Sequence, residues 1–294
     1  MSTKKITKAV IPAAGLGTRM LPIARTVCKE TLPIVDRPAI SYLVNEAIDS
    51  GATDILIITN RGKGAMEDYF DYSPEYEIAL RAKGKDALVE ELRRDAERAN
   101  IYFIRQKEPR GLGHAVLAAR NFIGNEPFYV LYGDDVIMSK TPVCAQLCDA
   151  YEKYGKAACG VKEVTAEQIL KYSSLDAKPI EDSGNCYNVT DMIEKPKPEE
   201  VITRLSILGR VLLTPDIFDI LAETKPGAGG EIQLTDAMRV LAQSVGMTAV
   251  DFEGKRYDLG SKLGFLYANV ESALRDPELG GEFREYLKEL AATL

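Results

Sequence analysis

The sequence predicts an α/β fold, a Rossmann-like and mostly parallel central sheet with helices on both faces. Short β-rich runs recur at Lys8–Ala13, Asp54–Asn60, Ile101–Gln106, Phe128–Tyr132 and Ala157–Val161, each followed by a helical pattern. Strands that alternate with helices need crossover connections, which cover both faces of a parallel sheet. The 294 residues, 46% hydrophobic and 28% charged, suffice to bury a large core.

The helix after Pro38 shows the pattern clearly: Ile40, Leu43, Val44, Ala47 and Ile48 form one apolar stripe, and Gly51 stands where a C-terminal cap belongs. Between Gly62 and Asn100 the chain turns charged. There Arg81–Arg98 reads as one exposed amphipathic helix inserted before the third strand, a lid or an interface element. Thr214-Pro215-Asp216 offers a capping hydroxyl, a first-turn proline and an acid ahead of the apolar run Ile217–Leu221, so a helix is expected there. Beyond Lys262 two apolar-striped helices flank Asp276-Pro277, with Phe283, Tyr286, Leu287 and Leu290 at helical spacing. They pack on the core or on another subunit. With no internal repeat and no low-complexity linker, residues 1–294 read as one domain with small insertions and a helical tail.

A balance of 37 Lys plus Arg against 44 Asp plus Glu gives a net charge of −7. That argues against nucleic acid as a partner, because neutralising its backbone needs a basic surface. Any polyanion bound here should be small and met by local cations. No apolar run reaches the length of a membrane span, and Met1–Lys8 carries three lysines without the apolar core of a secretion signal. Cys28, Cys144, Cys148, Cys159 and Cys186 form no Cys-x-x-Cys pair, so buried thiols in a cytoplasmic protein are expected.

The first run leads straight into Ala13-Ala14-Gly15-Leu16-Gly17-Thr18-Arg19. Residues this small let backbone N–H groups approach an anion, and Arg19 adds a cation, so the turn is expected to bind phosphate. Met20 stands where a dinucleotide fingerprint needs its third glycine, and the second strand ends at Asn60 instead of a ribose-binding acid, which disfavours a dehydrogenase. The lack of a Gly-Lys-Ser/Thr ending disfavours a P-loop ATPase. Lys29-Glu30 and Leu32-Pro33-Ile34 follow.

Gln106 and Gly111-Leu112-Gly113-His114-Ala115 come after the third run, at the carboxyl edge of a parallel sheet. The Gln106 amide suits the edge of a pyrimidine and equally a surface position before a helix. His114, the one histidine, has no second imidazole nearby and apolar residues after it, so packing or capping is expected ahead of proton transfer. Gly133-Asp134-Asp135 follows the fourth run, and Tyr257-Asp258-Leu259-Gly260 lies far downstream. One Asp from each strand end can offer magnesium two hard oxygens, with water and substrate phosphate completing the shell; either can equally cap a helix or turn. Spacing does not separate Asp134 from Asp135. Glu194-Lys195-Pro196 follows Val189–Ile193 and reads as a solvated ion pair or as a sugar-phosphate site. Gly209-Arg210 and the glycine-rich stretch 227–236 either line a pocket or make plain turns.

Taken together, Gly-x-Gly-Thr-Arg at 15–19, Lys-Glu-x-Leu-Pro at 29–33, Gln106 with 111–115, Glu194-Lys195-Pro196-Lys197-Pro198, 225–236 and 252–258 resemble the signature of nucleotidyltransferases that make nucleotide sugars. Within that family the pattern is similar to the bacterial UTP:glucose-1-phosphate uridylyltransferases, from Lys8 to about Leu290. The resemblance implies a nucleotide-binding half at about 8–136, a sugar-binding half at about 137–262 and C-terminal helices at about 263–294. It implies that a phosphate oxygen of glucose 1-phosphate attacks the α-phosphorus of UTP in line, with no protein nucleophile. Arg19, Lys29 and Lys195 would be catalytic. Ala13, Ala14, Gly15, Gly17, Glu30, Gln106 and Gly111 would hold the nucleotide, and Glu194, Lys195 and Gly209 the sugar phosphate. Asp134 and Asp258 would hold Mg2+, the family motif favouring Asp134 over Asp135. Homo-oligomers, dimers or tetramers, are usual in the family. Cys28 replaces a usual proline, Arg25 a usual lysine, and Tyr172-Ser173-Ser174-Leu175 the commoner Tyr-Gly-x-Val on the sugar side. A thymidylyltransferase, a user of galactose 1-phosphate and a non-catalytic nucleotide-sugar sensor are the alternative readings.

Overall fold

The computed structural model describes residues 5–294, so residues 1–4 of the Met1–Lys8 segment lie outside the described residues. β1 (Lys8–Pro12) runs into the glycine turn, and three short 3-10 turns lead to a small hairpin, β2 (Pro33–Ile34) with β3 (Arg37–Pro38). Next come α1 (Ala39–Asp49), β4 (Asp54–Thr59), α2 (Ala65–Phe70), α3 (Pro74–Arg81) and α4 (Asp86–Glu97). β5 (Asn100–Arg105), α5 (Leu112–Leu117), α6 (Arg120–Ile123), β6 (Phe128–Leu131) and β7 (Asp135–Met138) follow. The second half holds α7 (Val143–Tyr154), β8 (Ala157–Glu163), α8 (Ala166–Ile169), β9 (Ser173–Pro179), β10 (Cys186–Glu194) and β11 (Leu205–Leu213). α9 (Ile217–Glu223), α10 (Leu234–Ser244), β12 (Met247–Asp251), β13 (Lys255–Asp258), α11 (Lys262–Arg275) and α12 (Gly280–Ala291) complete the chain.

Nine strands make one sheet in the order β5-β4-β1-β6-β11-β8-β12-β10-β9. β5, β4, β1 and β6 are parallel, as the alternation of strands and helices requires. Beyond them β11 is antiparallel to β6 and β8, β12 is parallel to β8, and β10 is antiparallel to both β12 and β9. The parallel core therefore belongs to the first half and the mixed part to the second.

β1 and β4 are buried on both faces, which is why they read as unbroken apolar runs. Ala9 and Ile11 face a core shared with α1 and α7, whereas Val10 faces the opposite core with α5, α9 and α10. One buried ion pair ties these layers together. Arg210, fully buried on β11, donates to Glu46 of α1 through Nε at 2.9 Å and Nη2 at 2.7 Å, and to its neighbour's carbonyl, Gly209 O, through Nη1 at 2.9 Å. Four hydrogen bonds on a side chain without water access keep the register of β11 against α1. 

Two local expectations change. The helix expected over Arg81–Arg98 is α4 and begins only at Asp86; Arg81 ends the separate helix α3, and Gly84 at φ +70° lies in the left-handed turn between them. At Thr214 the hydroxyl donates to Asp216 Oδ2 at 2.7 Å, and backbone carbonyls of Thr214 and Pro215 receive the first N–H groups of α9. The end of α1 is as expected, with Gly51 at φ +100° closing the turn onto Ile48 O.

Candidate active site

Four loops leave the carboxyl ends of the parallel strands on one edge: the glycine turn after β1, 60–63 after β4, 106–111 after β5 and 132–134 after β6. Between them lies a cleft of about 560 Å³. Ala14, Gly15, Gly17, Arg19, Lys29 and Glu30 line it on one side and Gln106, Gly111, Tyr132 and Asp134 on the other. Ala13 lies just beneath, buried.

The charges converge at the mouth of β6. Lys29 Nζ donates to Asp134 Oδ2 at 2.6 Å, and Arg19 Nη2 stands 3.6 Å from the same oxygen. Burial alone would push the Asp134 carboxyl up, but Lys29, with Arg19 and Arg256, holds it below the ordinary carboxylate range. Burial would likewise lower the Lys29 ammonium, and the charges of Asp134 and Glu30 raise it instead. Arg19 Nη1 also lies 3.7 Å from Asp258 Oδ2, so one guanidinium spans two carboxylates from distant strand ends.

Asp258 ends β13, which pairs with β7 so that Asp258 stands opposite Asp135. Its Oδ1 accepts from Gly260 N at 2.9 Å and its Oδ2 from the Tyr172 hydroxyl at 3.0 Å. Tyr172 in turn accepts from Arg256 Nη1 at 3.1 Å. Arg256 grips Asp135 Oδ1 with Nε at 2.7 Å and Nη2 at 2.6 Å. The adjacent acids thus part company: Asp134 enters the cleft, and Asp135 lies below it. Burial pushes Asp135 up to about 6, Arg256 pulling down while Asp134 and Asp258 push up.

Gly209 explains itself at this point. It holds φ +74° at an irregularity of β11, and a Cβ there would stand 2.5 Å from Asp135 Oδ2. The room it leaves is filled by Asp135. Ser173, the departure on the sugar side, points into the sheet: its hydroxyl accepts from Ile207 N at 3.2 Å and lies 3.5 Å from Ser206 Oγ.

Gln106 Nε2 donates to Gly111 O at 3.1 Å and meets His114 Nδ1 at 3.0 Å. Burial, with the charge of Arg110, lowers the His114 pKa; with the Gln106 Nε2 turned to Gly111 O and His114, its carbonyl oxygen is left for the cleft. His114 is half-buried beside the glutamine amide. Loop 227–236 docks on the same turn through Gly113 N to Ile232 O and Ile232 N to Arg110 O, both 2.8 Å.

Glu194 and Lys195 sit at the end of β10, outside the set of residues lining the nucleotide cleft. Burial pushes the Glu194 carboxyl up against the pull of a 2.7 Å bond from Thr235 Oγ1. Lys195 is exposed at φ +47°, and its N–H donates to Tyr172 O at 2.8 Å. Tyr172 therefore joins Lys195 to Asp258. Sequence reasoning missed Tyr172 and Arg256, which reach the site only through Asp258 and Asp135.

The donor set fits a divalent cation. Asp134 and Asp258 are two hard carboxylates from separate strand ends facing one guanidinium, and among the described residues no group of three or more His, Cys, Asp or Glu surrounds them. Two protein oxygens, with water and phosphate for the rest, suit a hard divalent cation.

Residues 8–273 match the profile of the nucleotidyl transferase family. The chain is 50% identical over 287 residues to UTP--glucose-1-phosphate uridylyltransferase 2 of Staphylococcus saprophyticus, over 98% of this chain and 99% of that one. A crystal structure of UDP-glucose pyrophosphorylase complexed with UDP-glucose matches with TM-score 0.83 and 42% identity, covering 92% of this chain and 100% of that chain. A UTP-bound UGPase from Acinetobacter baumannii matches with TM-score 0.89 and 35% identity, covering 97% and 99%. The family profile covers most of the chain and relatives match it over nearly their full length, so this chain belongs to the nucleotidyl transferase family.

Proposed function

We propose that this chain makes UDP-glucose and pyrophosphate from UTP and glucose 1-phosphate, with Asp134 and Asp258 holding Mg2+. One observation carries the reading: Arg19, Lys29 and Asp134 line one cleft and Arg19 joins them to Asp258, through contacts of 2.6 to 3.7 Å. The names of the near-full-length relatives support the choice of substrates.

The difficulty of the reaction is electrostatic, because two polyanions must touch. A phosphate oxygen of glucose 1-phosphate attacks the α-phosphorus of UTP, and the bond to the bridging oxygen breaks as pyrophosphate leaves with the electron pair. Lys29 and Arg19 neutralise the triphosphate, and positioning plus charge supply the rate. Bound magnesium would supply further charge compensation on the phosphates. Gln106 offers its carbonyl oxygen to the N–H of a uracil ring, with Gly111 and the glycine turn beside it; Glu30 closes the floor. Glu194 accepts from sugar hydroxyls, and Lys195, exposed, serves as a point charge for the sugar phosphate. Gly209 acts on the sugar-phosphate side through the space it gives Asp135.

The same reading treats residues 1–294 as one unit with nucleotide and sugar halves and a helical tail. A cytoplasmic setting is supported by five free cysteines, and no helix among the described residues is long and apolar enough to cross a membrane. A homo-oligomer is supported by Leu263, Leu266, Tyr267 and Tyr286, each more than half exposed on α11 and α12 (55%, 56%, 53% and 57%). Pyrophosphate release with UTP or dTTP crossed with glucose 1-phosphate or galactose 1-phosphate tests the function. The UTP and glucose 1-phosphate pair should have the highest kcat/KM. A higher value for another pair would reassign the substrates, and no turnover with any pair would leave a sensor.

A further inference from the structure

We infer that Asn60 and Lys63 are positioning residues that aim the amides of the glycine turn at the nucleotide, an inference that deepens the uridylyltransferase reading and rests on it. Both lie in the turn after β4, next to the first strand. Lys63 is only 7% exposed, and its ammonium donates to Ala13 O at 2.5 Å and to Glu30 Oε2 at 2.8 Å. Asn60 Nδ2 donates to Ala14 O.

Successive carbonyls of an extended strand point to opposite neighbours. Here two in succession, Ala13 and Ala14, are drawn to the same side, toward the β4 turn. A trans peptide holds its N–H opposite its C=O. The N–H groups of Ala14 and Gly15 therefore both point away from that turn, and both residues line the cleft. Among the described residues neither N–H donates to another backbone group outside the helices and strands, although Ala14 is only 5% exposed. Adjacent free amides of this kind form a concave seat for a carbonyl or phosphate oxygen.

The Lys63 ammonium makes little sense as plain packing. A buried charge is costly, and an apolar side chain would fill the same space. Its two bonds are to the carbonyl it holds and to Glu30, whose other oxygen, Oε1, is buried without a partner. The pair thus keeps the underside of the turn fixed while its upper side stays unsatisfied. Arg19, Lys29 and Asp134 provide charge at the cleft mouth; Asn60 and Lys63 provide direction at its back.

The test is Asn60→Ala and Lys63→Met, each compared with the parent by calorimetric titration of UTP with magnesium and by initial rates with each substrate varied. Each variant should bind UTP about tenfold more weakly, the scale of one lost hydrogen bond. KM for UTP should rise in step while KM for glucose 1-phosphate stays within about twofold of the parent. Unchanged UTP affinity in the folded variants overturns the inference, as does a fall in kcat alone, which a merely structural role would give. Should Lys63→Met fail to fold, Asn60→Ala, at a half-buried position, decides by itself. A parent protein that binds no UTP would instead overturn the functional reading beneath.

Discussion

Lys29→Met removes one charge from the cleft and keeps most of the side-chain volume. The Lys29 side chain is 13% exposed and its ammonium stands 2.6 Å from Asp134. At the effective dielectric of a protein, a unit charge about 4 Å from a phosphate oxygen is worth about 4 kcal/mol. Water entering the vacated space returns part of that, leaving roughly 3 kcal/mol in the transition state and a fall of about 100-fold in kcat. The Asp134 carboxyl also loses the ammonium that most opposes its burial, so its pKa moves up and the acid limb of the rate profile moves to higher pH. Pyrophosphate release at saturating UTP, glucose 1-phosphate and magnesium measures both effects, with a melting curve to establish folding. A folded variant within about threefold of the parental kcat would show that Lys29 serves Asp134 alone and not the reacting phosphates.

Tyr172→Phe deletes the hydroxyl that joins Asp258 to Arg256, so the magnesium concentration for half-maximal rate should rise roughly tenfold; an unchanged magnesium titration would sever Tyr172 from the metal site. Gly209→Ala should lower stability by about 2 kcal/mol and Tm by about 5 °C, because a Cβ would meet Asp135 at 2.5 Å on a backbone of φ +74°. Equal melting temperatures would refute that account. Burial pushes the Glu30 carboxyl above its ordinary 4.5 despite Lys63 and Lys29. Just above pH 4.5 the folded chain then keeps a proton that the unfolded chain has lost, so stability falls as pH rises through that window. Denaturant titrations across the window should show this slope in the parent and its loss in Glu30→Gln; parallel slopes would contradict it.

Much of this was legible in the sequence where one physical rule acts locally. Buried parallel strands are apolar throughout, so β1 and β4 stood out, and a strand running into small residues marked the cleft. Asp134 and Lys29 belong to compact motifs. The supporting residues were not legible because their reasons are tertiary. Arg256 looks like any surface arginine until β13 pairs with β7 and brings it over Asp135. Lys63 reads as a solvated lysine until the fold buries it against Ala13 and Glu30. Tyr172 was noticed for the serines after it, whereas the hydroxyl of the tyrosine itself reaches Asp258. Gly84 was too weak a signal within a long charged stretch to show that the helix there starts only at Asp86.

The central claim is that the phosphates of both substrates meet directly, with no group of the protein taking the uridylyl unit in between. Uridine 5′-(α-thio)triphosphate of one configuration at phosphorus, turned over with glucose 1-phosphate, tests this through the stereochemistry of the thio-UDP-glucose formed. A single in-line displacement inverts the configuration at the α-phosphorus, and inversion is the expected result. Retention would require two displacements through a covalent uridylyl-protein and would contradict the account.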